Sequence, residues 1–328
     1  MAAPYSGLTP DVALDALASI GLQPDGRLQS LNSYENRVYQ IGIDAAPPVV
    51  AKFYRPARWT DAQILEEHAF ALELAGREIP VVAPLATDGR TLHEFGGFRF
   101  AVYPRRGGRS PELEDPEVLE WIGRFLGRIH AVGAVSAFRE RPVLDIESHG
   151  LEPRAWILAS GLVPDDLLEA WKSATALALD AVRGCYERAR GVKRIRLHGD
   201  CHSGNVMWTE GGETSGPHFV DLDDCRTGPA VQDLWMLLSG DRAAMTGQLS
   251  AVLAGYEQFH EFDPRELALV EALRKLRLVH YSAWIARRWD DPAFPAAFPW
   301  FGTQRYWQDR VLELREQIAA MDEEPLAV

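Results

Sequence analysis

Two runs carry residue types at spacings that could do chemistry: Leu197-His198-Gly199-Asp200-Cys201-His202-Ser203-Gly204-Asn205 and Phe219-Val220-Asp221-Leu222-Asp223-Asp224. An aspartate is followed five positions later by an asparagine, and a second aspartate comes after a short hairpin. Phosphoryl transfer from a nucleotide needs three such side chains. One orients the attacking hydroxyl and accepts its proton, and the others hold the Mg2+ ions that bridge the phosphates. Asp200 is the expected proton acceptor, a carboxylate at a strand end. Asn205 offers a neutral amide oxygen suited to Mg2+. Asp221 follows the apolar pair Phe219-Val220, where a buried strand ends and a metal-binding, catalytic carboxylate can enter a cleft. Each has a bland counterpart. A lone D-x-x-x-x-N is common, and an asparagine after Gly204 is a turn former. The complete run, with His198 two residues before Asp200, is what favours the chemistry.

Neighbouring residues have lesser claims. Asp223 and Asp224 compete with Asp221, and Asp223 would share its face if the strand continued, which would suit it to support Asp221 or to hold a second metal; extra acids there are more often a solvated turn. His198 is read as a support for the loop, and His202 as a weak candidate for a phosphate or substrate contact. Asp233, in Pro229-Ala-Val-Gln-Asp-Leu-Trp, could accept backbone N–H bonds from the Asp200 loop or simply be a helix N-terminal charge.

A cation stands in the middle of the apolar strand Val49-Val50-Ala51-Lys52-Phe53. Lys52 there can reach nucleotide phosphates and pair with a glutamate of the next helix, rather than point to water as an edge lysine. Of Glu66 and Glu67, the register Glu67-x-x-Phe70-x-x-x-Leu74 selects Glu67, with Glu66 second. No glycine-rich phosphate loop is present. The turn Leu31-Asn32-Ser33-Tyr34-Glu35-Asn36-Arg37 stands in its place, and Ser33 and Asn36 could cover the phosphates, an ordinary hairpin being the alternative.

The elements that must position these groups change in kind along the chain. A short helix after Thr9-Pro10-Asp11 precedes strands at 26–31, 36–43 and 48–54, a helix from Thr60-Asp61 to about Gly76, and a strand at 98–103. The Gly/Arg/Pro-rich stretch 104–111 reads as a linker. Helices then fit 117–132, 152–160, 165–190, 229–238, 244–259 and 265–288, with the candidate site on two strands between them. The aromatics from Trp284 to Trp307 read as core. The expected architecture is α+β and bilobal: a small β-rich nucleotide-binding lobe over 1–104 and a larger, mainly helical catalytic lobe over 105–328.

Composition excludes several classes. With 47% hydrophobic and 25% charged residues the chain is globular rather than disordered. A net charge of −13 argues against general nucleic-acid binding, and leaves Mg2+ and local basic residues to neutralise a nucleotide. Cys185, Cys201 and Cys225 form neither a disulfide framework nor a zinc spacing; Cys201 and Cys225 flank the motif and could be redox-sensitive thiols, but packed small residues are the commoner fate. No apolar run spans a membrane and no signal peptide is visible, so a cytoplasmic protein is expected; the sequence leaves its oligomeric state open, with a monomer favoured.

Leu-His-Gly-Asp-Cys-His-x-Gly-Asn with Phe-Val-Asp-Leu-Asp-Asp resembles the aminoglycoside phosphotransferase/choline kinase superfamily, a branch of the protein-kinase-like fold. Three further stretches narrow the resemblance to bacterial stress response kinases: residues 31–39, residues 52–59, and Gly228-Pro-Ala-Val-Gln-Asp-Leu-Trp-Met-Leu-Leu238. Asp290-Asp-Pro-Ala-Phe-Pro with Phe298-Pro-Trp adds a fourth, so the likeness covers nearly the whole chain. The resemblance implies an ATP- and Mg2+-dependent serine/threonine protein kinase acting on a protein acceptor in stress survival and restraint of stress-induced death. It makes Asp200 the proton acceptor, Asn205 and Asp221 the magnesium ligands and Ser33 an ATP contact. The hairpin from Glu210 to His218 looks longer than the pattern. The residues alone also fit a kinase of a small alcohol such as an aminoglycoside, choline or homoserine, because only seven residues separate Asp221 from Pro229 and leave little room for a peptide-docking segment. Intact Lys52, Asp200, Asn205 and Asp221 argue against a pseudokinase binding module.

Overall fold

A computed structural model describes residues 4–211 and 215–328, so the tip of the hairpin between Glu210 and His218 lies outside the described residues. In chain order the first elements are α1 (Pro10–Ser19), β1 (Pro24–Leu31), β2 (Arg37–Ile43), β3 (Ala46–Phe53), α2 (Asp61–Ala75), β4 (His93–Phe95) and β5 (Phe98–Pro104). Helices α3 (Pro116–Gly133), α4 (Glu152–Ser160) and α5 (Asp165–Arg188) follow. Short strands β6 (Ile195–Leu197), β7 (Val206–Thr209), β8 (Gly216–Phe219) and β9 (Arg226–Gly228) come next. Helices α6 (Val231–Trp235), α7 (Arg242–Tyr256), α8 (Val270–Ala286), α9 (Ala293–Ala297) and α10 (Gln304–Asp322) complete the chain.

The chain forms two compact units. The first comprises Met1–Pro111, Arg139–Arg141 and Ser203–Cys225. Its centre is an antiparallel sheet in the order β1-β2-β3-β5-β4. Alternation along β3 decides what each sheet face does. Val49, Ala51 and Phe53 point into a core with Ile41, Phe100 and Leu17 of α1, while Val50 and Lys52 point to the opposite face. Lys52 pairs in register with Val38 on β2 and Ala101 on β5, and a slip of one residue would bury it in the α1 core.

Helix α2 packs beside this sheet. Thr60 and Gln63 form a reciprocal capping box that satisfies the first backbone N–H groups. Ile64, Glu67, His68, Ala71 and Leu74 recur at helical spacing on its buried face. Glu66 points elsewhere: its carboxylate accepts the backbone N–H groups of Arg139, Glu140 and Arg141 at 2.6, 2.8 and 2.7 Å. The β7–β8 hairpin is held in the same unit by backbone bonds from Val82 to Phe219, from Phe219 to Pro80, and in both directions between Arg109 and Trp208. That last pair ties down the stretch 104–111, which the sequence suggests as a linker.

The second unit comprises Glu112–Phe138, Pro142–His202 and Arg226–Val328. It is helical apart from the two-stranded β6–β9 ladder, in which Ile195 faces Gly228. The C-terminal aromatics do form core: Trp171, Phe294, Phe298, Phe301 and Trp307 are buried together between α5, α8 and α10, although Trp300 is exposed. The helix expected over 265–288 begins instead as a 3-10 segment, Pro264–Leu269, capped by Asp263, before α8 starts at Val270. Among the described residues no helix is long and apolar enough to cross a membrane.

Glycines allow α3 and α7 to approach closely. A Cβ on Gly123 would overlap the Val252 carbonyl oxygen, and one on Gly255 would overlap that of Glu120. Gly255→Ala is therefore expected to destabilise the fold by about 1–3 kcal/mol. The measurement is a urea melt, and an unchanged midpoint would show that the two helices can separate freely.

Candidate active site

Ser33, Asn36, Lys52, Glu67, Asn205 and Asp221 belong to the first unit, which contains a cavity of about 450 Å³, whereas Asp200, His198, His202 and Asp233 belong to the second. Leu31, Val38, Val50, Ala71, Val82 and Leu222 give it apolar walls, and Ser33, Lys52, Glu67, Asn205 and Asp221 bring polar groups. An apolar slot with a few convergent polar groups is what a nucleotide-sized ligand requires.

Lys52 is the hub. Its Nζ lies 3.0 Å from Asp221 Oδ1, 3.2 Å from Asp223 Oδ1 and 3.5 Å from Glu67 Oε1. Burial alone would pull the ammonium down, but these three carboxylates hold it well above the ordinary lysine range. It is a permanent cation. Glu67, rather than Glu66, is the helix partner, and burial pushes its carboxyl up to about 7 against the pull of Lys52.

Asp221 differs from its neighbours in two ways. Its backbone is left-handed, with φ 59° and ψ 64°, an unfavourable conformation for a residue with a Cβ. Such strain persists only where the surroundings impose it, and it concentrates at functional sites. Its side chain is 52% exposed, whereas those of Lys52 and Asp223 are buried, so Asp221 opens toward the cavity. The strand does not continue past it. Leu222–Asp224 form a 3-10 turn, which turns Asp223 inward.

Asp223 is thus neither a solvated turn acid nor exposed to the cavity. It pairs with Arg58 and Lys52 and accepts a hydrogen bond from Asn36 Nδ2 at 3.1 Å. Burial would raise its carboxyl, but Arg58 and then Lys52 draw it down to about 2. Arg58 also holds Asp224 at 2.9 Å. Asn36 does not line the cavity: its amide oxygen accepts the Arg55 N–H at 3.1 Å while its nitrogen serves Asp223. Arg141 lies 4.1 Å over the Trp59 ring and donates to the carbonyls of Cys225, at 2.9 Å, and Asp223. Two arginines, an asparagine and a lysine therefore fix the shape of the turn that carries Asp221.

The Asp200 loop belongs to the second unit, and its shape is fixed by Asp233. The two carboxylate oxygens of Asp233 each accept one backbone N–H, from His198 and Gly199, at 2.8 Å. His130 Nε2 approaches the same carboxylate at 3.0 Å, and its Nδ1 meets the Tyr256 hydroxyl at 2.9 Å, all buried. Gly199 has φ 86°, the left-handed turn that brings Asp200 round. His198 stays inside, its Nδ1 3.4 Å from the Asp200 amide, consistent with a supporting role. Asp200 itself is partly exposed, with Arg277 at 2.6 Å from Oδ1 and His202 at 3.5 Å from Oδ2. Cys201 is buried, and burial drives its thiol well above the usual range.

Arg58, Arg141 and Arg277 escaped the sequence reading. Arg58 lies six residues after Lys52 beside Trp59, and a basic-aromatic pair close to a buried lysine was its only signal. Arg141 and Arg277 sit far along the chain from the groups they serve, so spacing could not connect them. Among the described residues no group of three His, Cys, Asp or Glu side chains forms a ready metal cage. Mg2+ does not need one, since it is commonly held by one or two carboxylates together with substrate phosphates.

The phosphotransferase enzyme family, APH, matches residues 27–270. The chain belongs to this family. Within it, the chain is 47% identical to stress response kinase A of Escherichia coli K12 over 322 residues, 98% of this chain and 96% of that one. It is 45% identical over the same length and coverage to the serine/threonine protein kinase RdoA of Salmonella typhimurium LT2. Among solved structures, the amicoumacin kinase hAmiN in complex with AMP-PNP, Ca2+ and Ami superposes with a TM-score of 0.72 at 19% identity, covering 97% of this chain and 95% of that one. The fold is protein-kinase-like, with an antiparallel sheet in the N-terminal part and helices in most of the remainder. This family member is a phosphotransferase with the relationships of a stress response kinase.

Proposed function

We propose that the chain is an ATP- and Mg2+-dependent serine/threonine protein kinase of the bacterial stress response, acting on a protein acceptor. The phosphotransfer part of the reading is supported by the buried Lys52, braced by Glu67 and directed at the strained, half-exposed Asp221 on the cavity wall, and the protein-acceptor part by the 45% identity to the serine/threonine protein kinase RdoA. When bound, Mg-ATP supplies the phosphoryl group and the charge that neutralises its oxygens. The residues fit that group: Lys52 is a fixed cation for phosphate oxygens, and Asp221 and the Asn205 amide are hard oxygen donors on the same cavity. Ser33 on the cavity lining would cover the phosphates, and the apolar walls would take the base. Asn36, Asp223 and Arg58 hold the turn behind these groups rather than touch a ligand. Asp200 aligns the acceptor hydroxyl and takes its proton, in a loop kept rigid by Asp233.

A second reading, phosphorylation of a small alcohol, draws support from the short path after Asp221, where β9 begins only at Arg226 and α6 at Val231. The acceptor panel separates the two. With labelled ATP and Mg2+, phosphoserine or phosphothreonine in a protein acceptor is expected. Label confined to an aminoglycoside, choline or homoserine would replace the protein-kinase reading with the metabolite one.

A further inference from the structure

We propose that Arg277 is the specificity-determining residue for the acceptor, selecting a hydroxyl that has a carboxylate or phosphate beside it; in a protein this means a Ser or Thr flanked by Asp or Glu. The inference rests on the reading of Asp200 as the proton acceptor. Arg277 Nη1 lies 2.6 Å from Asp200 Oδ1, and His202 Nε2 lies 3.5 Å from Oδ2, so both carboxylate oxygens face a nitrogen. A guanidinium on Oδ1 occupies part of the space an incoming hydroxyl needs. An anion beside that hydroxyl offers Arg277 a partner in place of Oδ1 and so clears the oxygen for the acceptor.

The structure permits that exchange. Arg277 sits in the middle of α8, whose backbone is anchored by buried Leu276 and Val279 and by Lys275, which donates to the carbonyls of Glu313 and Leu314 at 3.2 and 2.7 Å. Its side chain, by contrast, is 42% exposed, and its Nη1 lies 3.9 Å from the Met236 sulfur. A fixed helix with a swinging, solvated guanidinium can pass from Asp200 to an acid on the acceptor without moving the loop. The same charge repels an ammonium placed next to the hydroxyl, which disfavours polyamine and choline-like acceptors. Bidentate geometry suits arginine better than lysine for this task.

The test uses the full chain with three serine peptides, identical except for acidic, neutral or basic flanks, and in parallel an anionic alcohol (glycerate) and a cationic one (choline). The variants are Arg277→Lys, Arg277→Gln and Arg277→Glu, with nucleotide Kd measured for each. The wild-type chain is expected to favour the acidic over the basic peptide by at least about tenfold in kcat/KM, chiefly through KM. Arg277→Gln should erase the preference, Arg277→Glu reverse it, and Arg277→Lys retain part of it, with nucleotide Kd unchanged throughout. A preference that survives Arg277→Glu, or an equal fall in kcat for all peptides at constant KM, overturns the proposal. Transfer to alcohols alone would refute the protein-kinase reading, and Arg277 would then stand or fall on whether glycerate is preferred to choline and Arg277→Glu inverts that order.

Discussion

Replacing Asp200 by alanine is expected to lower phosphoryl transfer by about 10²–10⁴-fold, the range associated with a lost general base. Nucleotide affinity and thermal stability should barely change. Asp200 is partly exposed at the end of the loop and is not needed to hold it: the backbone bonds to His198 and Gly199 come from Asp233. The variant also frees Arg277 from its partner, which costs little for a side chain already 42% exposed. Asp200→Asn preserves the shape but cannot accept the proton, so it should lose nearly as much activity. If either variant turned over at the wild-type rate with unchanged acceptor dependence, the proton would have to leave by another route.

Asp223→Ala should act on stability instead. It removes the carboxylate that faces Arg58 and Lys52 inside the protein and leaves those cations with poorer partners. Breaking one side of a buried ion network costs about 3–5 kcal/mol. At about 2–4 °C per kcal/mol, the apparent Tm should fall by roughly 10 °C. Arg58 keeps Asp224, which places the effect toward the lower end. The pH dependence has a definite sign. The Asp223 carboxyl sits at about 2 in the folded chain against an ordinary 3.8. Its stabilisation is therefore complete above the ordinary value and disappears as pH falls through the folded one. The alanine variant should lose that part of the acid transition and unfold over a shallower acid limb. Asp221→Ala makes the useful contrast, since its half-exposed side chain predicts weakened Mg-nucleotide binding with little change in Tm.

Much of this was legible in the sequence because the signals are local. Alternation in β3 puts Lys52 on the face opposite the α1 core, and helical register selects Glu67 over Glu66; both follow from periods of two and of 3.6 residues. The fixed offset between Asp200 and Asn205 is likewise a property of one loop. The parts that were not legible are the long-range ones. The 3-10 turn after Asp221 turns Asp223 inward, and nothing in Leu222-Asp223-Asp224 distinguishes an inward acid from a solvated one. Asn36 was expected at the phosphates, but its amide is engaged by Arg55 and by an aspartate 187 positions later. Arg277 reaches Asp200 across 77 positions, from a helix that the sequence shows only by its range. Short apolar helices such as α9, which follows Pro292 and contains Pro295, carry no clear period.

The most direct test is single-turnover transfer of labelled γ-phosphate to a serine-containing protein acceptor, comparing the wild-type chain with Asp200→Ala at saturating Mg-ATP. The account predicts phosphoserine from the wild-type chain, loss of transfer in the variant, and equal nucleotide occupancy in both. Equal transfer by the two proteins, or loss of transfer explained by loss of nucleotide, would contradict it.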